Sequence, residues 1–409
     1  MRGGVDSRRR RILAGALGTA LLPGFAFAQG QRDAVKNREI YLYRGADREK
    51  KILEGARKER EVVVYTSLNL KDSVPIVEVF ERKYGGVKVQ LWRSSSEKVL
   101  QRAIAEARAG RFSCDILETN GPEMEAMHRE QLLEEFFSPH FKDLPPAAFP
   151  KHRHYVADRF NFFTVAYNTN LVNAGDVPNT YEDLLHPRFA GRVGIEAGDA
   201  DWFGAMVKAM GEEKGLAFFR KLAAAKPEIR SGHTLMAELV ASGEIPLAAT
   251  IYNHNAERLV VKGAPIRWKA LKPTFGRPNA IGVARRAPHP YAALLFSDFM
   301  LSLEGQTILK ERNRVPSSRA VETHLNKFPF EMIDPVITLD EADRWEKLWS
   351  DLFLKGQRIQ KEADRLFRHR AKQDTTHEAA WIQSSRERAR RTPRPRTSAC
   401  TRVPTACRS

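Results

Sequence analysis

Between residues 61 and 128 the apolar positions alternate between strand-like and helix-like spacing. Glu61-Val62-Val63-Val64-Tyr65 is a β-branched run closed by Thr66-Ser67, after which Val74, Val77, Phe80 and Tyr84 fall at helical spacing. Val87 to Trp92 repeats the strand pattern before Arg93-Ser94-Ser95-Ser96. Glu97 to Ala109 repeats the helix, with Val99, Leu100, Ile104 and Ala107 on one face. Asp115 to Glu118 is a third strand, followed by Thr119-Asn120-Gly121-Pro122 and a helix through Met124, Met127 and His128. Three strand-helix units in succession predict a parallel sheet with right-handed crossovers, whose strand-end loops face a ligand.

From Phe160 the pattern changes phase. Phe162 to Tyr167 is extended, Thr180 to Leu185 is helical up to Pro187, and Arg192 to Glu196 is a strand. Helical spacing returns at Trp202 to Met210, Glu213 to Ala223 and Leu235 to Ser242, and Pro246 to Tyr252 is an apolar strand. After Gly263-Ala264-Pro265 come strands at Ile266 to Leu271 and Ala280 to Ala284, then a helix from Tyr291 to Ser302. These elements predict a second α/β lobe, and 409 residues exceed what one core usually spans. No apolar run reaches the ~18 residues a membrane-spanning helix needs, which excludes a polytopic membrane protein.

The formal net charge of +17 invites a nucleic-acid reading until its location is considered. Residues 1–28 carry +4 and residues 357–409 carry +9, leaving a mildly basic body. Arg8 to Arg11, the apolar stretch Ile12 to Leu22 and Ala26-Phe27-Ala28 have the layout of a cleavable export signal, and Arg9-Arg10-Arg11-Ile12-Leu13 fits the twin-arginine pattern. The tail, with six arginines and two prolines between Arg386 and Arg396, has the composition of a disordered segment; in an exported chain no nucleic-acid role is expected of it.

Cys114, Cys400 and Cys407 are too few for a disulfide framework, and Cys114 reads as a buried filler. No Gly-x-Ser-x-Gly elbow, His-Glu-x-x-His helix, phosphate-binding glycine loop or dinucleotide fingerprint is present, so neither an enzyme nor a cofactor is expected. His152-x-His154 puts two imidazoles at strand spacing without an accompanying carboxylate or thiol in the sequence, too little to predict a zinc site.

Several segments together carry a family resemblance. They are Gly45-Ala46-Asp47-Arg48, Val62 to Ser67, Asp115 to Gly121, Ala166-Tyr167-Asn168-Thr169-Asn170, Tyr181 to Leu185 before Gly191, Ala287-Pro288-His289-Pro290, Asp298 to Ser302, and Gly305-Gln306. In order and spacing, residues 43–319 resemble the periplasmic solute-binding proteins of ABC importers, in the ferric-iron-type group of extracellular solute-binding protein family 1. The resemblance implies a two-lobed type II periplasmic-binding-protein fold: mixed, mostly parallel sheets with helices on both faces and a hinge between lobes. It also implies closure on a small solute and delivery to a membrane permease by a monomeric, periplasmic protein. Iron-binding members supply a His from the first loop, a Glu after the third strand and two adjacent tyrosines. Here those positions fall at Asn69, at Asn120 and within Tyr252-Asn253-His254, so the tandem tyrosines are missing. Ferric iron prefers anionic oxygen donors, and of the expected set Tyr252 remains, with Glu118 and His254 as helpers.

A polar or anionic solute therefore stands as the first expectation and ferric iron as the alternative. Ser67, Asn69, Ser95 and Asn120 sit after strands and before helices, where hydroxyls and free N–H groups meet an anion; plain helix capping is the competing account. From the second lobe, Trp202 is expected to stack on or wall off the solute, and His233, Tyr252, Asn253 and His254 to touch it. Asp199 and Asp201 suit a cation or a helix cap, and Arg258 a carboxylate clamp or a solvated position. The resulting division is a signal at 1–28, an N-terminal segment at 29–59 and lobe 1 at 60–158 with 268–310 returning to it. Lobe 2 covers 159–267 with 311–356 packing on it, the tail covers 357–409, and the hinge lies near Arg159 to Phe163 and Arg267 to Leu271.

Overall fold

The computed structural model describes residues 34–355. The proposed export signal, the basic tail, Cys400 and Cys407 lie outside the described residues. The chain divides into two compact units, Met1–Leu352 and Phe353–Ser409, and every element below belongs to the first.

A helix through residues 34–41 (α1) and α2 (Arg48–Glu59) precede β1 (Glu61–Thr66). Then follow α3 (Leu70–Lys83), β2 (Lys88–Arg93), α4 (Ser96–Arg108), β3 (Ile116–Asn120), α5 (Gly121–Arg129) and β4 (Leu133–Glu134). The β-branched side chains of β1 bury Val62 and Val64, and β1 pairs in parallel with β2 and β3. The long strand β5 (Val156–Asn168) leads to β6 (Val193–Glu196), α6 (Ala200–Met210), α7 (Glu212–Ala224), β7 (Glu228–Arg230), α8 (His233–Ser242), β8 (Leu247–Tyr252) and α9 (Asn253–Val260). The return runs through β9 (Ile266–Lys269), β10 (Phe275–Ala284), α10 (Pro290–Leu301), α11 (Leu303–Glu311) and β11 (Val315–Pro316). Where a helix ends at Pro187 in the sequence reading, the structure has two 3-10 turns, Glu182–Leu185 and Pro187–Phe189.

Two strands position the site. The sheet runs β2-β1-β3-β10-β5-β8-β6-β7, and β5 changes partner within its length: Val156 to Phe162 pair antiparallel with β10, and from Phe163 onward with β8 and β9. One half of the sheet thus holds β1 to β3 and the other β6 to β8, with the β5–β10 pair between them. The parallel strands β1 and β3 end at Thr66 and Asn120, and β6, β7 and β8 at Glu196, Arg230 and Tyr252. Residues 311–352 do not stay on one side: β11 pairs with β5 at Phe160, whereas Trp345 and Trp349 of α12 (Ala342–Trp349) pack on Phe203 of α6.

Candidate functional site

Alternation along the two central strands brings four polar side chains to one face. Arg159 stands opposite Asn279 and Asn161 opposite Arg277, and residues directly opposite in an antiparallel pair share a face. The intervening Phe160 and Phe162 are buried in the core. Arg159, Asn161 and Asn279 are themselves buried, and Arg159 Nη2 donates to Asn279 Oδ1 at 2.8 Å. Arg159 Nη1 also donates to Asp158 at 2.9 Å and to Glu118, whose carboxylate accepts from Thr66. Burial pushes the Asp158 carboxyl up to about 7 against the pull of Arg159.

From the second half of the sheet, Asp199, Asp201, His233 and Tyr252 meet this row at Arg277. Arg277 forks onto Asp201, with Nε 2.6 Å from Oδ2, donates to the Tyr252 hydroxyl, and lies 3.6 Å from Asp199. The His233 ring stacks on Tyr252 with centroids 3.6 Å apart, and its Nε2 lies 3.2 Å from Asp199 Oδ1 without the alignment of a hydrogen bond. Burial lowers the His233 pKa, but Asp199 and Glu196 outweigh it and leave it raised; burial keeps the Tyr252 phenol well above its ordinary value. Glu196, Asp199 and His233 offer ligand atoms within 4.8 Å of one another, although both Glu196 oxygens already accept from the Gly198 and Gly232 N–H groups at 2.7 Å.

A third group joins the halves. Asp72 of α3 accepts from Arg314 Nε at 2.9 Å and from Arg258 of α9, and Arg314 Nη1 lies 2.6 Å from His254 Nε2. The two arginines hold the Asp72 carboxyl below its ordinary value despite its burial, and burial drives the His254 imidazole well below its own.

Tyr252, His233 and His254 come together as stacked rings, with Tyr252 and His254 centroids 5.5 Å apart. Asn253 is fully buried, donating Nδ2 to Leu325 O at 2.6 Å while Oδ1 lacks a partner. Asn120 lies beside the polar row, opposite Asn279 in the β3–β10 register. Ser67 accepts from Thr119 Oγ1 at 3.0 Å at the end of β1. Asn69 caps α3, its Oδ1 accepting from the Lys71 N–H at 3.0 Å, so the capping account describes it. Ser95 is exposed at the start of α4, and no hydrogen bond of its side chain ties it to the other candidates.

For Trp202, the stacking half of the expectation requires a correction. It is fully buried among Phe163, Tyr181 and Phe219, so its faces meet core aromatics and leave no stacking platform for a solute. Asp201 is spent on Arg277, and Arg258 is a clamp on Asp72, not a solvated residue. Glu118 and His254, the helpers of an iron reading, are engaged by Arg159 and Arg314. Sequence reasoning missed Arg159, Asn161, Arg277 and Asn279. The available signal was the polar-apolar alternation of Arg159-Phe160-Asn161-Phe162 and Arg277-Pro278-Asn279-Ala280.

With both guanidinium groups largely engaged by protein partners, the arrangement leaves Arg159 Nε and Asn279 Nδ2 as donors and Asn161 Oδ1 and the Asp199 carboxylate as acceptors without hydrogen-bond partners. Residues 115–343, more than half of the chain, match the family model described as bacterial extracellular solute-binding protein. The chain is similar to iron uptake protein A1 of Synechocystis, with 23% identity over 275 residues covering 62% of this chain and 75% of that protein. Its fold resembles iron-bound HitA from Pseudomonas aeruginosa, with TM-score 0.62, 22% identity and coverage of 71% of this chain and 99% of that one. It also resembles the periplasmic binding protein AfuA from Actinobacillus pleuropneumoniae with fructose-6-phosphate bound, with TM-score 0.63, 21% identity and coverage of 72% and 99%. The fold is that of the type II periplasmic binding proteins. With the matched segment running through the central strands and the polar row they carry, the chain belongs to the bacterial extracellular solute-binding protein family.

Proposed function

We propose that this chain is the periplasmic capture component of an ABC importer, closing on a small hydroxylated anion and presenting it to a membrane permease. One observation carries the reading: the row of buried Arg159, Asn161 and Asn279 with partly buried Arg277, and Asp199 3.6 Å from Arg277. Arg159 Nε, Asn161 Oδ1, Asn279 Nδ2 and both Asp199 oxygens are buried there without a hydrogen-bond partner. Each such atom costs about 1–3 kcal/mol unless something satisfies it, and a solute bearing both an anionic group and hydroxyls would satisfy donors and acceptors together. The change of strand partner at Phe162/Phe163 serves as the hinge, so contacts from both halves favour the closed state. The protein acts as a monomer without catalysis or nucleic-acid binding, and residues 1–28 export it, by the twin-arginine route.

Ferric iron is the second reading, favoured by the Glu196, Asp199 and His233 group beside Tyr252 and by the iron-linked names of two relatives. A thermal-shift screen of the full chain with sugar phosphates, hydroxycarboxylates, ferric chloride and ferric citrate separates the two. A ligand at a hundredfold its dissociation constant adds about 2.7 kcal/mol to stability. A shift with an organic anion that Asn279→Ala abolishes supports the anion reading. A shift with ferric chloride alone, abolished by Tyr252→Phe, overturns it in favour of iron.

A further inference from the structure

We propose that His128, His152 and His154 form a binding site for a divalent transition-metal ion of the zinc class, separate from the polar row on the central strands. His128 comes from α5, and His152 and His154 from the segment that leads into β5. The three imidazoles offer ligand nitrogens within 4.8 Å of one another, and all three side chains are partly exposed, so an ion reaches them from solvent.

The closest approach is between two ring nitrogens of the same kind. His128 Nδ1 and His154 Nδ1 are 3.0 Å apart, a contact that needs a proton on one of them and a lone pair on the other. Two imidazole nitrogens bound to one tetrahedral zinc ion, each at about 2.0–2.1 Å, stand about 3.3 Å apart. An ion can therefore replace the shared proton once the two nitrogens part by about 0.3 Å and both rings tilt toward a point beside the line that joins them.

His152 is the third donor and must reorient to reach the ion. Its Nδ1 accepts from the His154 backbone N–H at 3.1 Å, which places its proton on Nε2, 3.0 Å from Glu125 Oε2. A carboxylate on the far nitrogen is the usual second partner of a metal-bound histidine, because it fixes the tautomer and makes the near nitrogen more basic. Glu125 is buried and held by Tyr155 OH at 3.2 Å and Arg129 Nε at 3.0 Å, so the support is rigid. His152 stacks on His128 with ring centroids 3.5 Å apart, and two parallel rings do not both aim in-plane lone pairs at one ion. His152 turns out of the stack as the ion enters, giving up its bond to the His154 N–H. The neighbouring cations are already paired, Arg129 with Glu125 and Asp340 and Arg285 with Glu134. Imidazole donors select zinc, cobalt, nickel or copper over magnesium or calcium. The bound ion ties α5 to the start of the strand that crosses between the two halves of the sheet.

The test is titration of the full chain, stripped of metal by chelator dialysis, with Co2+ and then Zn2+. The expected result is one Co2+ per chain with the visible ligand-field absorption of a four-coordinate site of three imidazole nitrogens and a water, displaced by Zn2+. His128→Ala and His154→Ala each weaken Zn2+ binding at least about tenfold, and Glu125→Gln weakens it less, within the range of a second-shell loss. Asp199→Asn and Asn279→Ala leave it unchanged, which separates this site from the solute site. Zn2+ also protects His128 and His154 of the wild-type chain from diethyl pyrocarbonate in peptide mapping, a readout that needs no folded variant. Failure of the wild type to take up Co2+ or Zn2+, uptake unaltered in His128→Ala, or no protection of the two histidines would overturn the proposal.

Discussion

Glu123 connects the site to stability through a proton. It lies in the first turn of α5, near enough to Arg277 and Asp201 to feel their charges, and its Oε2 is buried without a partner. Burial raises its carboxyl from 4.5 to about 7, and Arg277 offsets this only in part. The native state therefore holds a proton that the unfolded chain has already released between those two values. Stability must fall as pH rises from 4.5 to about 7 and level off above, the reverse of the usual carboxylate. The difference corresponds to about 3 kcal/mol, an upper figure because the Glu123 side chain keeps some solvent contact. Glu123→Gln removes the titration and keeps the shape. Urea unfolding of both proteins at pH 4.5 and pH 8 should show the variant gaining up to about 3 kcal/mol on the wild type across that interval. Asp158, also raised to about 7, titrates in both proteins and cancels in the comparison. Parallel pH profiles for the two proteins would refute the assignment of a buried, unpaired carboxyl at this position.

Three further outcomes follow from named contacts. Asp72→Asn leaves Arg258 and Arg314 without their shared counter-charge and should cost about 3–5 kcal/mol in urea unfolding at neutral pH. Because the Asp72 carboxyl is held below its ordinary value of 3.8, that cost begins to shrink as pH falls below 3.8 and is lost only at the lower pH where the native carboxyl itself takes up a proton. Gly215→Ala places a Cβ 2.7 Å from Val207 Cα, where α7 crosses α6; the backbone cannot yield, so thermal unfolding should show a net loss of about 1 kcal/mol or more despite better helix propensity. Cys114 is buried with its thiol pushed well above its ordinary pKa, so iodoacetamide should leave it unmodified in the native protein and alkylate it in urea, as read by peptide mapping.

Most strand-helix units were legible because their signals are local. Val62 to Tyr65 is β-branched, Asn69 and Ser95 stand before amphipathic helices, and Tyr252 ends an apolar run. What escaped was the outer half of β10, Phe275-Gly276-Arg277-Pro278, where Gly276 and Pro278 count against a strand and the expected strand begins only at Ala280. The strand tolerates Pro278 because its pairing with β3 begins only at Asn279, so the missing N–H forfeits no bond on that side. With that stretch unread, Arg277 and Asn279 were invisible as partners of Asn161 and Arg159. Tyr252 was legible as a strand-end residue and His233 as a residue at a helix start, but their stacking depends on the packing of β8 against α8, which no local spacing encodes. Trp202 misled because a tryptophan at a helix start after a strand suits a solute wall and a core equally well; only its neighbours Tyr181 and Phe219, distant in sequence, decide.

The central claim is that the buried row on the crossing strands holds the solute, and calorimetric titration tests it most directly. The organic anion selected by the thermal-shift screen is titrated into the wild type, Asn161→Ala and Asn279→Ala. Losing one buried hydrogen bond to a charged or hydroxylated solute costs about 1–3 kcal/mol, so each variant should bind roughly tenfold or more weakly, with one site per chain in the wild type. Equal affinity in all three proteins would contradict the account and move the solute away from the Arg159, Asn161, Arg277 and Asn279 face.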